Sequence, residues 1–75
     1  MEITKGNNFV RLEHNNQDVV LNVNYIQKIW IENYKEQFLL CIKSALGNTA
    51  DQYNFELKTK EEAKELYEKL IDELL

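Results

Sequence analysis

Residues 59–75 constrain the fold more than any other part of the chain. Thr59 and Glu62 have the Thr-x-x-Glu spacing of a capping box, in which each side chain satisfies a free backbone amide of the first helical turn. Apolar residues then recur every three or four positions, which predicts one helix with a single apolar stripe. The stripe consists of Ala63, Leu66, Tyr67, Leu70, Ile71 and Leu74. Such a stripe needs the face of a β-sheet to cover it.

The residues before this helix alternate between apolar and polar, as half-buried strands do, and polar turns separate the alternating segments. We predict five strands, at residues 9–14, 19–23, 28–32, 37–44 and 53–58. We also expect a helical turn or bulge at 24–27 and a loop at 47–51. The predicted fold is therefore α+β, with an antiparallel sheet of about five strands in meander order packed against one C-terminal helix.

The length of 75 residues predicts a single domain, residues 1–75, with a small core. Small domains often gain stability from disulfides, a metal ion or self-association. Cys41 and His14 are the only cysteine and the only histidine, so neither a disulfide within the chain nor a four-ligand zinc site can form. Self-association is the remaining source of added stability.

A two-residue turn at 35–36 would pair the third and fourth strands with Ile31 opposite Leu40 and Trp30 opposite Cys41. Because side chains alternate along a strand, this register decides which residues face the helix. The predicted helix-facing core is Val10, Leu12, Val19, Leu21, Val23, Ile29, Ile31, Leu40, Ile42, Phe55 and Leu57.

The opposite face of the predicted sheet also carries apolar residues. They are Phe9, Val20, Trp30, Leu39 and Cys41. One helix covers only one side of a sheet, and an apolar patch around a tryptophan usually marks an interaction surface. We therefore predict an interface here, for a second copy of the chain or another protein. The alternative is that the sheet curls strongly and these residues form a second small core.

No arrangement typical of catalysis stands out. Nucleophilic catalysis would require Ser44 or Cys41 to meet His14 and an aspartate such as Asp18 or Asp51. His14 is expected to be solvated beside a turn, and Cys41 lies in the most apolar strand, where it acts as a small hydrophobic residue. We predict that the protein is not an enzyme and has no catalytic, cofactor-binding or metal-binding residues.

The net charge of −4 and the lack of a basic cluster argue against a conventional nucleic-acid-binding protein. The two glycines are isolated and neither opens a helix, so no phosphate-binding loop is expected. Gly47-Asn48 is instead expected to form a turn that needs positive φ, and Asn15-Asn16 to form a hairpin turn. The chain has no run of about 18 apolar residues and no apolar signal sequence, so we expect a cytoplasmic location and no membrane contact. A small-molecule ligand is neither indicated nor excluded.

The predicted helix is acidic. Residues 59–75 carry six acidic and three basic side chains, a net charge of −3. This pattern permits an alternative function, a phage-encoded inhibitor of a host defence enzyme that mimics nucleic acid or sequesters a small ligand. An ordinary solvated helix has the same pattern.

Residues 19–29 (VVLNVNYIQKI) form an apolar strand that ends in asparagine, with an isoleucine four residues later and another after three more. This segment resembles FlbD-like flagellar proteins and some small phage proteins. The order of strands followed by a terminal helix is similar to that of pleckstrin-homology-like modules, which have more strands. The chain differs from the FlbD-like pattern in its longer fourth strand and larger loop at 47–51. The resemblance implies a binding or regulatory role in a bacterium or phage and assigns no functional residues.

Overall fold

The computed structural model describes residues 1–75 and contains six strands and one α-helix. The elements are β1 (Glu2–Lys5), β2 (Phe9–His14), β3 (Gln17–Asn22), β4 (Ile26–Tyr34), β5 (Gln37–Leu46), β6 (Thr49–Leu57) and α1 (Lys60–Leu74), with a 3-10 turn at Val23–Tyr25 between β3 and β4. The predicted α+β fold of antiparallel strands with a C-terminal helix is confirmed. The structure contains no helix with the length and apolar character needed to cross a membrane.

The strands form two antiparallel sheets rather than one five-stranded meander. Sheet A has the order β1-β2-β3, and sheet B has the order β4-β5-β6. The chain leaves sheet A through the 3-10 turn, where the Asn22 side chain accepts a hydrogen bond from the Asn24 amide. This turn separates β3 from β4 and ends the meander. Strand β1 escaped prediction because Ile3 is its only apolar residue.

Positive backbone φ angles occur in the β2–β3, β4–β5 and β5–β6 turns. Asn15 and Asn16 have φ values of 45° and 68°, as a two-residue hairpin with both central residues in the left-handed region requires. Gly47 has a φ of 61°, and Lys35 has a φ of 58°. The predicted turn chemistry of the asparagines and of Gly47 is confirmed.

The loop predicted at 47–51 is wrong beyond its first two residues. Leu46 pairs with Thr49, so the β5–β6 turn has only two residues and the rest of the predicted loop belongs to β6. The positive φ of Gly47 allows this tight turn. Both strands are therefore longer than predicted, since β5 continues to Leu46 and β6 begins at Thr49, within an exposed segment without clear alternation.

The predicted register between the third and fourth strands is confirmed, with Ile31 opposite Leu40 and Trp30 opposite Cys41 in β4 and β5. The core lies between the inner faces of the two sheets and α1. It consists of Val10, Leu12, Leu21, Leu40, Ile42, Phe55, Leu57, Ala63 and Leu70. Four other predicted core residues are only half-buried against it, namely Val19, Val23, Ile29 and Ile31. Sheet A and α1 thus together cover the inner face of sheet B.

Candidate interaction surface

The five predicted interface residues lie on two different faces. Phe9 and Val20 are on the outer face of sheet A, because their neighbours along β2 and β3 point into the core. Trp30, Leu39 and Cys41 are on the outer face of sheet B. Since the core lies between the inner faces, the two outer faces point away from each other. The prediction of a single five-residue patch is therefore wrong, because it assumed one continuous sheet.

The outer face of sheet A is largely polar. Arg11 donates hydrogen bonds from Nε and Nη2 to the two carboxylate oxygens of Asp18, at 2.9 and 2.7 Å. This bond and the positive charge of Arg11 hold the pKa of Asp18 below its ordinary value, although partial desolvation opposes the shift. Val20 lies opposite Arg11 and is 60% exposed. The Phe9 ring packs on Gly6, where an added Cβ would clash with the ring.

The outer face of sheet B, which we call the Trp30 face, is formed by the outward-facing residues of three strands. They are Lys28, Trp30 and Glu32 from β4, Leu39, Cys41 and Lys43 from β5, and Gln52, Asn54 and Glu56 from β6. Trp30 and Leu39 are half-buried, and charged or amide side chains surround them. The Trp30 face therefore has a small apolar patch that reaches the β4 edge, with a polar rim on its other sides.

The Trp30 indole is held between two opposite charges on its own strand. The Lys28 Nζ lies 4.8 Å from the ring centroid, and the indole Nε1 donates a hydrogen bond of 3.2 Å to Glu32 Oε1. Both charged residues are two positions from Trp30, so strand alternation places them on the same face. Sequence reasoning missed Lys28 and Glu32, although this spacing could have identified them. These two contacts restrict the orientation of the ring.

Cys41 points toward the Trp30 face but is buried beneath its surface, so it is not exposed for contact. It is fully buried, since its small side chain lies between the larger Trp30 and Asn54 on the neighbouring strands. Burial raises the pKa of the Cys41 thiol above its ordinary value, and the nearby Glu32 carboxylate adds to this shift. The thiol lies 3.8 Å from the Leu39 carbonyl oxygen. The inclusion of Cys41 among exposed interface residues is thus corrected.

His14 bridges the two sheets and is half-buried, so its side chain is less exposed to solvent than predicted. Its Nε2 donates a hydrogen bond of 2.7 Å to the carbonyl oxygen of Glu56, on the edge strand β6. Its ring lies edge-to-face with Phe55, with 6.5 Å between the centroids. Gln17, from the same hairpin, donates to the Asn54 carbonyl oxygen at 3.1 Å. These contacts make His14 a brace between sheet A and sheet B.

The groups considered for nucleophilic catalysis do not form one hydrogen-bonded set. Ser44 lies opposite Asp51 on the inner face of sheet B, whereas Cys41 is on its outer face. His14 instead bonds to the Glu56 carbonyl, further along β6. Asp18 is bound to Arg11 on the outer face of sheet A. No three side chains of the His, Cys, Asp and Glu types lie close enough together to hold a metal ion.

No protein-family model matches this chain, and neither does any curated protein or solved structure. The geometry of the Trp30 face is therefore the basis of the function proposed below.

Proposed function

We propose that this protein is a small, non-enzymatic interaction or regulatory module of bacterial or phage origin that binds protein through the Trp30 face. The main support is the position of Trp30, half-buried on the outer face of sheet B at its β4 edge and in contact with Lys28 and Glu32. Binding energy at protein interfaces concentrates in such tryptophans, particularly where a polar rim surrounds them. A ring that is already oriented also loses little rotamer freedom on binding.

The small core favours association. Only 10 of the 75 residues are buried, so the chain hides little apolar surface by itself. A domain of this size gains stability when a partner covers a further apolar patch. The bound protein can be a second copy of the chain or a different protein.

Replacement of the tryptophan tests this proposal. We expect Trp30→Ala to weaken protein binding by at least about tenfold, because truncation of a tryptophan that a partner covers commonly costs more than about 1.4 kcal/mol. Sedimentation equilibrium measures self-association. Cross-linking followed by mass spectrometry, in cells that produce the protein at its native level, detects other bound proteins.

Val20→Ala is the matched control, because Val20 is an exposed apolar residue on the opposite side of the molecule. This variant should bind as the wild type does. Circular dichroism and urea unfolding must show that both variants remain folded. If the folded wild type binds neither itself nor another protein, or if Trp30→Ala binds as well as the wild type, the proposal is wrong.

The acidic helix supports the alternative of a nucleic-acid mimic less well. Its charged residues are mostly exposed and none forms a salt bridge, as expected for any solvated helix face. No feature of α1 other than its charge is directed at a basic partner. The Trp30 face instead combines a fixed aromatic ring with a defined polar rim.

A further inference from the structure

The two edges of sheet B differ in how well they are protected. The outer edge of β6 accepts hydrogen bonds from His14 and Gln17 of sheet A. Strand β4, at the other edge, pairs only with β5, and its backbone receives no hydrogen bond from any side chain or loop. Exposed edges are usually blocked by proline, bulges, charged side chains or covering segments, because they can pair with another strand. The two charged residues of β4, Lys28 and Glu32, have opposite signs. Strand β4 has no proline, and its only bulge lies at its start, between Ile26 and Lys28.

Along a β-strand, the backbone N–H and C=O groups of successive residues point alternately to the two neighbouring positions in the sheet. This alternation identifies the residues of β4 whose backbone groups point to the open edge. The Asn54 carbonyl points out of sheet B on the β6 side, so Asn54 does not bond to Cys41, its neighbour on β5. Cys41 therefore directs its backbone groups to Trp30 on β4. The residues on either side of Trp30, Ile29 and Ile31, then direct theirs to the open edge.

We propose that this edge of β4 pairs in antiparallel fashion with β4 of a second copy of the chain, centred on Trp30, to form a continuous six-stranded sheet. This inference rests on the proposed function, since it names a second copy of the chain as the partner. The pairing places the Trp30 faces of the two copies side by side in one sheet. Lys28 lies opposite Glu32 of the second copy, and Glu32 lies opposite Lys28 of the second copy. Ile29 lies opposite Ile31 of the second copy and exchanges two hydrogen bonds with it, and the symmetry repeats this pair.

Symmetry and charge select this register over its neighbours. Two identical antiparallel strands related by a twofold axis through the sheet must set one residue opposite itself, since paired side chains share a face. Centring on Lys28 or Glu32 would set like charges opposite each other, which destabilises a sheet. Centring on Ile29 or Ile31 leaves both charges without an opposite partner. Only the register centred on Trp30 forms two oppositely charged pairs and one aromatic pair.

The surroundings of β4 leave this edge accessible. Ile29 and Ile31 are half-buried although they lie on the inner face, because α1 does not cover them completely. An apolar groove remains beside the strand, lined in part by Ile29, Ile71 and Leu74. A second β4 strand would shield the exposed parts of both isoleucines.

Charge reversal provides a test that is specific to this register. Lys28→Glu alone and Glu32→Lys alone each set like charges opposite each other, so each should raise the dimer dissociation constant by at least about tenfold. An equimolar mixture of the two variants restores both oppositely charged pairs in the heterodimer. We expect its dissociation constant to return to within about threefold of the wild type. Native mass spectrometry with one variant labelled with 15N identifies the heterodimer.

The rescue by mixing separates pairing between chains from the contacts that Lys28 and Glu32 make with Trp30 inside one chain. In the mixture, Lys28→Glu still lacks the contact of Lys28 with the indole, and Glu32→Lys still lacks the hydrogen bond from Trp30 Nε1. Lys58→Glu makes the same change of charge as Lys28→Glu, but just beyond the end of β6, and should leave dimerisation unchanged. A wild type that stays monomeric, or a mixture that fails to form the heterodimer, overturns this inference. If another protein still binds in a Trp30-dependent manner in that case, the proposed function stands; if no protein binds, both fail.

Discussion

Among single residues, Lys35 stands out because it adopts a backbone conformation that suits other residue types better. Its φ of 58° lies in the left-handed region, which residues other than glycine, asparagine and aspartate rarely enter. Asn15, Asn16 and Gly47 occupy the same region in the other two-residue turns without this cost. The Lys35 Nζ lies 5.4 Å from the centroid of the Tyr34 ring, a contact that offsets a small part of the strain.

We predict that Lys35→Gly increases the free energy of unfolding by about 1 kcal/mol. Glycine removes the clash of the Cβ at positive φ, and this gain exceeds the larger entropy of glycine in the unfolded chain. Urea unfolding measures the change. Lys35→Asn should show part of the same gain and Lys35→Ala none. A lower unfolding midpoint for the glycine variant would contradict the prediction.

Within the secondary-structure elements, the start of α1 depends on one side chain. The Thr59 hydroxyl accepts a hydrogen bond of 3.1 Å from the Glu62 amide. The helix beyond it buries Ala63 and Leu70 against the sheets, so a frayed first turn would expose part of the core. The cap therefore stabilises the packing of the core as well as the first turn of the helix.

Thr59→Ala should lower the free energy of unfolding by about 1 kcal/mol, the usual effect of losing such a cap. Thr59→Ser keeps the hydroxyl and should stay close to the wild type. Urea unfolding followed by circular dichroism at the helix band provides the measurement. Equal stabilities for the alanine and serine variants would show that the hydroxyl contributes little.

For the whole molecule, the two sheets are held together by the core and by the β2–β3 hairpin resting on β6. His14 contributes both a hydrogen bond to the Glu56 carbonyl and an edge-to-face contact with Phe55. Gln17 contributes a hydrogen bond from an exposed position. The histidine is therefore the stronger brace. It also blocks the β6 edge and so leaves β4 as the open edge of sheet B.

His14→Ala should destabilise the protein by about 1 to 2 kcal/mol, since it removes a hydrogen bond and an aromatic contact at a half-buried site. Gln17→Ala, which removes an exposed hydrogen bond to the same strand, should cost about 0.5 kcal/mol or less. Urea unfolding of the two variants beside the wild type tests the difference. Similar losses for both would show that His14 does not have this bracing role.

The sequence by itself determined the features that depend on neighbouring residues. The helix follows from the Thr59 cap and the apolar stripe, and the hairpins follow from Asn15-Asn16 and Gly47. The β4–β5 register and the placement of Trp30 on the face opposite the helix follow from strand alternation. Each of these is a local property, because turn conformation and the side-chain period act over only a few residues.

Only the tertiary structure decided how the strands divide into sheets and which outward-facing residues share a face. The 3-10 turn at Val23–Tyr25 separates β3 from β4 and so places Phe9 and Val20 on the opposite side from Trp30. His14 meets Glu56, 42 residues away, through a contact that no short sequence pattern encodes. Strand alternation distinguishes the two faces of one strand, but the relative orientation of two sheets is determined by how their inner faces pack in a common core.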